Sequence, residues 1–296
     1  MKAFNTMSRA VRFGSLMMVA GLGMSGVAHA QDDSKGTVTL AYVEWASEVA
    51  STNVVRAVLE DMGYDVKMSS LSAAAMWQAV AYGDADGMVA AWLPTTHKNY
   101  FEQTKDKVVD LGANLDGTKL GLVVPAYTDI DSIEQLDDKA DSYGGEIIGI
   151  DPGAGLMGLT EDVIDDYGLQ GDVKLRSGSG ATMTAALKSA IQNHEDIVVT
   201  GWTPHWMFSR WDLKYLDDPK NVYGDAEHIN TIVRQGLEED MPAVYEFLDN
   251  FHWTPEQMGE VMLMNQKEGS DPYENAQKWV DEHPDVVKEW TADIQG

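Results

Sequence analysis

Thr37 to Val43 alternates apolar and polar positions and predicts a strand. Glu44 to Ser47 reads as the loop that follows it. Val54, Val55, Val58, Leu59 and Met62 then share one helical face, which Gly63 stops. Tyr64–Met68 predicts a second strand, Ala73–Tyr82 an Ala-rich helix, and Met88–Trp92 a buried strand. The order is β-α-β-α-β. Pro94 is expected to open a short helix carrying His97, and KLGLVVP at Lys119–Pro125 predicts a strand leaving this half.

The pattern then restarts. Ser132 and Gln135 form a candidate capping box. Glu146–Asp151 predicts a strand whose loop runs through Pro152-Gly153-Ala154-Gly155, and a helix over Leu156–Tyr167 is closed by Gly168. Val173–Arg176 predicts the next strand, Ala181–Asn193 a second Ala-rich helix, and Asp196–Phe208 a buried strand with a Trp-x-Pro turn. Leu213–Asp218 is expected to return to the first half. The remainder reads as helical: Glu238–Asn250, Thr254–Lys267 with Thr254 as cap, Pro272–Glu282 and Pro284–Ile294.

The two halves share one detail. DGMVAAWLPTTHK (Asp86–Lys98) and DIVVTGWTPHWMF (Asp196–Phe208) each place an acidic residue six positions before a Trp and a Pro two after it. An Ala-rich helix precedes both. This is a diverged internal duplication in which each half presents a Trp at the carboxyl end of a strand, where ligands bind in open α/β sheets. Trp45, after the first strand, sits at a third such end. Trp77, Trp206, Trp211, Trp253, Trp279 and Trp290 are assigned to packing. Three indoles without a nearby Lys or Arg suit a cage for a quaternary ammonium, although spacing alone leaves packing and cage both open.

Charge narrows the partners. The formal net charge is −27, and the first thirty residues carry three basic and no acidic side chains, so the remainder is more negative still. Such a surface repels nucleic acid and anionic lipid; most of it reads as solvated faces. Lys2, Arg9 and Arg12, the apolar run Ser15–Gly26 and Ala28-His29-Ala30 predict a signal peptide over residues 1–30. There is no Cys to lipidate or to form a disulfide. The expected location is the periplasm, as a protein free of a lipid anchor.

Several motifs fail on context. Gly153-Ala154-Gly155-Leu156-Met157-Gly158 matches G-x-G-x-x-G between a strand and a helix, but the acidic residue wanted about twenty positions on is absent from LRSGSG at Leu175–Gly180. What remains is a helix start whose N–H groups favour an anion such as a carboxylate. Asp84-Ala85-Asp86-Gly87 lacks the closing Glu of a calcium loop, since Thr95 stands there. The histidines have no metal spacing, and no nucleophile elbow is present. Neither a catalytic residue, a metal nor a cofactor is expected.

AYVEWASEVASTNVV, GMVAAWLPTTH, GLVVP, IIGIDPGAG, VVTGWTPHWMFSRWDLKYLDDPK and FHWTPEQMGEVM together resemble the substrate-binding proteins of glycine betaine ABC importers, the OpuAC type. The resemblance covers nearly all of the chain after residue 30. It implies a non-enzymatic binding protein with a periplasmic-binding-protein fold, type II-like: two α/β lobes joined by a two-crossover hinge near Val123–Tyr127 and Leu216–Asn221. Residues 31–124 and 219–296 would form lobe 1, and 125–218 lobe 2. It further implies that Trp45, Trp92 and Trp202 surround a trimethylammonium group, while His97 and the backbone N–H groups of Gly149 and Ile150 hold a carboxylate. The implied partners are glycine betaine, or a related betaine such as proline betaine, and the membrane permease of an ABC importer. A monomer is expected. A choline or carnitine carrier is the alternative, and an exported quaternary-amine enzyme a more distant one.

Overall fold

The computed structural model describes residues 34–292 and Ile294. The signal peptide expected at 1–30 lies outside them. The first half runs β1 (Thr37–Tyr42), α1 (Ala46–Asp61), β2 (Asp65–Ser70), α2 (Ala73–Tyr82), β3 (Gly87–Leu93), α3 (Lys98–Thr104) and β4 (Val108–Pro125). After a 3-10 turn at Ile133–Gln135 come α4 (Ala140–Tyr143), β5 (Glu146–Ile148), α5 (Gly155–Asp166), β6 (Lys174–Arg176), α6 (Gly180–Asn193), β7 (Val198–Thr203), α7 (Met207–Arg210) and β8 (Leu213–Tyr215). Then β9 (Glu227–Arg234) precedes α8 (Leu237–Asp240), α9 (Pro242–Asn250), α10 (Pro255–Asn265), α11 (Pro272–Glu282) and α12 (Pro284–Trp290).

The strands follow one hydrogen-bonded path, β2-β1-β3-β9-β4-β7-β5-β6, with β8 on β4. β4 stands mid-path and belongs to both sheets. Its Val108–Thr118 stretch pairs with β9, while Lys119–Val123 pairs antiparallel with β7. Two sheets therefore meet on one strand. β1 runs parallel to β2 and β3, and β5 parallel to β6 and β7. The apolar runs are the central strands: all seven residues of β3 are buried, as is typical where helices cover both faces. This is an α/β fold of the periplasmic-binding-protein kind.

Local signals account for many of the boundaries. Gly83 ends α2 in the left-handed region (φ 78°), which a side chain would disfavour. Capping boxes start the 3-10 turn at Ser132, α6 at Ser179 and α10 at Thr254.

Four expectations change. α1 starts at Ala46, so the loop is only Val43–Trp45, with Trp45 at the N-cap position. The early residues Ser47, Glu48, Ser51 and Thr52 are buried, which polar side chains hide from a periodicity reading. Residues 94–97 form turns rather than a helix, and His97 is the N-cap of α3. β8 pairs with the Val123–Pro125 end of β4 and so stays with the second sheet. Finally, EHINTIVR is a strand, not the start of a helical tail. β9 is buried at Glu227, Asn230 and Thr231 as well as at its apolar positions, so its polar residues mask it.

Candidate functional site

Four connections at the carboxyl ends of strands carry the expected site residues: β1–α1 (Trp45), β3–α3 (Trp92, His97), β5–α5 (Gly149, Ile150) and β7–α7 (Trp202). Trp92 and Trp202 are each the penultimate residue of their strand, and each is followed by a cis X-Pro bond, Leu93–Pro94 and Thr203–Pro204. Trp45, Trp92, Trp202, His97 and Ile150 line one cavity with an empty volume of about 310 Å³, its mouth included. The indoles are 6, 3 and 4% exposed in that order. No charged side chain is among the lining residues.

His97 is fully buried. Its Nδ1 accepts a hydrogen bond from the Trp92 backbone N–H at 3.2 Å. Burial lowers its pKa to about 3, so the ring is neutral at physiological pH. A neutral imidazole that accepts at Nδ1 carries its proton on Nε2. That Nε2 has no partner among the described residues. A buried donor left unpaired is costly unless something occupies it. With so low a pKa, the ring is a poor general base near pH 7.

Gly149 stands apart from the other five. It is absent from the lining, and its N–H donates to the Arg176 carbonyl at 2.8 Å, continuing the β5–β6 pairing. Its lack of a side chain serves packing, because a Cβ there would stand 2.4 Å from Met157 Sδ. Among the described residues the Ile150 N–H meets only that same thioether sulfur, at 3.2 Å, a weak acceptor.

The sequence singled out the start of α5 as an anion site, but neither the matching start of α1 nor Glu227. α1 and α5 both lack a side-chain N-cap hydrogen bond, and the starts of both reach the cavity, through Ser47 and through Ala154, Gly155 and Leu156. Uncapped helix starts present N–H groups and positive dipole ends to an anion. Ser47 adds a buried hydroxyl without a partner among the described residues. The second feature is Glu227. Its carboxylate accepts from the backbone N–H groups of Thr95 and Thr96 and from the Thr96 hydroxyl, and so fixes the turn between Trp92 and His97. Its position within an unrecognised strand concealed it.

The other tryptophans divide. Trp77, Trp253, Trp279 and Trp290 are packed in the core. Trp206 and Trp211 border a separate, larger groove that also touches Trp202 and His205. No cluster of three potential metal ligands occurs among the described residues.

The cavity is thus an aromatic, uncharged enclosure with hydrogen-bond donors along part of its wall. A zwitterion with a diffuse cation and a carboxylate matches both parts. A model of the substrate-binding domain of ABC-type glycine betaine transport systems matches residues 36–282. The glycine betaine/carnitine transport binding protein GbuC of Listeria monocytogenes is 55% identical over 150 residues, half of this chain and half of that protein. The chain thus spans about half the length of that curated relative. Lactococcal OpuAC, solved closed with glycine betaine, is 47% identical with a TM-score of 0.83, over 86% of this chain and 99% of that one. The glycine betaine/L-proline-binding protein ProX of Borrelia burgdorferi is 42% identical with a TM-score of 0.84, over 87% and 97% of the two chains.

Proposed function

We infer function from one premise: the chain belongs to the family of substrate-binding domains of ABC-type glycine betaine transport systems. It captures glycine betaine outside the cytoplasmic membrane and delivers it to a membrane permease for osmoprotection. It is a carrier and makes or breaks no covalent bond. Proline betaine is a second cargo of the same chemistry.

One observation carries the reading. Three buried indoles and a neutral buried His97, whose Nε2–H lacks a partner among the described residues, line a single cavity without a charged side chain. The indole faces take the trimethylammonium group, each contact contributing up to ~2 kcal/mol when desolvated. The carboxylate takes the His97 Nε2–H, the Ile150 N–H and the start of α5. Leu120 completes the apolar wall.

The cargo is held between two lobes built on the two sheets, residues 31–124 with 219–296 and residues 125–218. The change of pairing along β4 between Thr118 and Lys119 supports two lobes, but with Lys119–Val124 on the second sheet rather than with residues 31–118. A closed form gathers Trp45, Trp92 and His97 from one lobe with Ile150 and Trp202 from the other. A ligand that contacts both lobes only when they meet shifts the equilibrium toward closure. The basic start, apolar run and Ala-x-Ala site of residues 1–30 fit export to the periplasm, and the sequence offers no Cys for a lipid anchor.

Isothermal titration with glycine betaine, proline betaine, carnitine and choline tests the assignment. Glycine betaine should bind far more tightly than choline, which lacks the carboxylate. Choline binding as tight as glycine betaine, or no glycine betaine binding at all, would refute it.

A further inference from the structure

We propose that Asp151 is a positioning residue that sets the Trp45 ring from the opposite sheet and clasps the closed form. Trp45 Nε1 donates to Asp151 Oδ2 at 3.0 Å across 106 positions of sequence. The other two cage indoles leave Nε1 without a partner among the described residues. Trp45 belongs to the β1–α1 connection on the first sheet, and Asp151 to the β5–α5 connection on the second.

The same two regions touch twice more. Tyr100 Oη donates to the Gly153 carbonyl at 2.7 Å. Gly155 lies so close to Thr96 that a Cβ would stand 2.1 Å from its carbonyl oxygen. Asp151 is itself held in a turn, its carbonyl accepting from the Ala154 N–H at 2.9 Å. That turn anchors the backbone from which the carboxylate extends.

The chemistry suits the position. A hydrogen bond to a carboxylate is shorter and stronger than one between neutral groups. With Trp45 only 6% exposed, water competes little for the bond. Fixing Nε1 fixes the ring plane, and a cation is attracted only over the face. A carboxylate at the ring edge also raises electron density on that face. Opening the two sheets would break this bond, so it belongs to the closed form. The clasp rests on the proposed capture of betaine by closure.

The test compares wild type with Asp151→Ala and Asp151→Asn. Glycine betaine affinity, its dissociation rate, melting temperature with and without ligand, and the ¹H–¹⁵N resonance of the Trp45 indole are measured. Asp151→Ala should weaken affinity by about tenfold to a hundredfold, the range of one charge-assisted bond, mainly through faster dissociation. Asp151→Asn, which keeps an acceptor oxygen, should fall between. The melting temperature without ligand should match wild type, and the ligand-induced rise should shrink. Unchanged affinity and dissociation in Asp151→Ala would overturn the clasp. So would an equal loss of melting temperature with and without ligand, the mark of a merely structural contact. If wild type ignored glycine betaine, the cargo assignment would fall. The clasp would then be decided with carnitine or choline as the closing ligand: Asp151→Ala must shift the Trp45 indole resonance in that complex, and an unshifted resonance there would overturn it.

Discussion

The Trp92 backbone N–H donates to His97 Nδ1, so the strand that carries one of the cavity's indoles also aims the imidazole. Removing the ring should therefore affect one end of the ligand only. His97→Ala should weaken glycine betaine binding by about tenfold to a hundredfold, since a hydrogen bond to a charged group contributes roughly 1.5–3 kcal/mol. Weak choline binding should barely change. Titration calorimetry on both ligands decides it, and equal losses would limit His97 to a structural role.

The low pKa of His97 makes a second measurement useful. Its folded pKa, about 3, lies below its ordinary value of 6.5. Its contribution to stability is thus present above pH 6.5 and is lost as pH falls toward 3. The donor itself stays neutral through that window. Glycine betaine affinity should stay flat from about pH 5 to 8, while the melting temperature declines below about pH 6.5. A binding curve with a step near pH 6.5 would show that His97 titrates in the ordinary range.

The indoles should respond to the loss of a π face rather than of bulk. Trp→Ala at 45, 92 or 202 should cost up to ~2 kcal/mol of binding per cation–π contact, and Trp→Phe much less. Trp279 is 1% exposed in the α10–α12 cluster, away from the cavity lining. Trp279→Ala should lower the melting temperature through a cavity cost of about 3–5 kcal/mol and leave affinity unchanged. A folded Trp92→Ala protein with wild-type affinity would remove Trp92 from the cage.

Gly155 tests closure by steric means. An added methyl would stand 2.1 Å from the Thr96 backbone oxygen and 2.8 Å from its Cγ2. The atom it meets first is backbone and cannot swing aside. Gly155→Ala should hold the sheets apart: glycine betaine affinity falls at least about tenfold, while the melting temperature without ligand changes little. Small-angle scattering should show no ligand-induced compaction in the variant.

Glu48 is buried at the start of α1, and burial pushes its pKa well above the usual 4.5. One oxygen accepts the Val43 N–H at 3.0 Å, and the other has no partner among the described residues. A raised carboxylate keeps its proton in the folded state after the unfolded chain has lost it. Stability therefore falls as pH rises above about 4.5. Glu48→Gln cannot titrate and should melt higher than wild type at pH 8, with the gap closing toward pH 4.5. An unchanged gap across that range would show that Glu48 does not hold a proton.

Much of this was legible in the sequence because the duplication is written in apolar runs. The β3 and β7 strings carry the same Asp-to-Trp spacing and both fold as buried strands. β9 was not legible, since Glu227, Asn230 and Thr231 are polar yet buried. What they bury against comes from segments far away in the chain: Glu227 holds the turn at Thr95 and Thr96, and Thr231 pairs with Asn114. The role of Gly149 changed for a similar reason. Motif likeness marked its amide, but only the register of β5 against β6 shows that the N–H is occupied by Arg176. The bond between Trp45 and Asp151 is equally invisible in the sequence, because it joins two connections that no local pattern relates.

The position of β9 also sets an order of events. It lies between β3 and β4, although the whole second repeat, residues 126–226, separates it from β4. Val108–Thr118 and Gly87–Leu93 therefore have no central partner until Glu227–Arg234 has left the ribosome. Pairing over such separations is slow. A nascent chain of this sequence stays unable to complete its first sheet until Arg234 of its 296 residues exists, which leaves time for threading through a membrane pore before it folds.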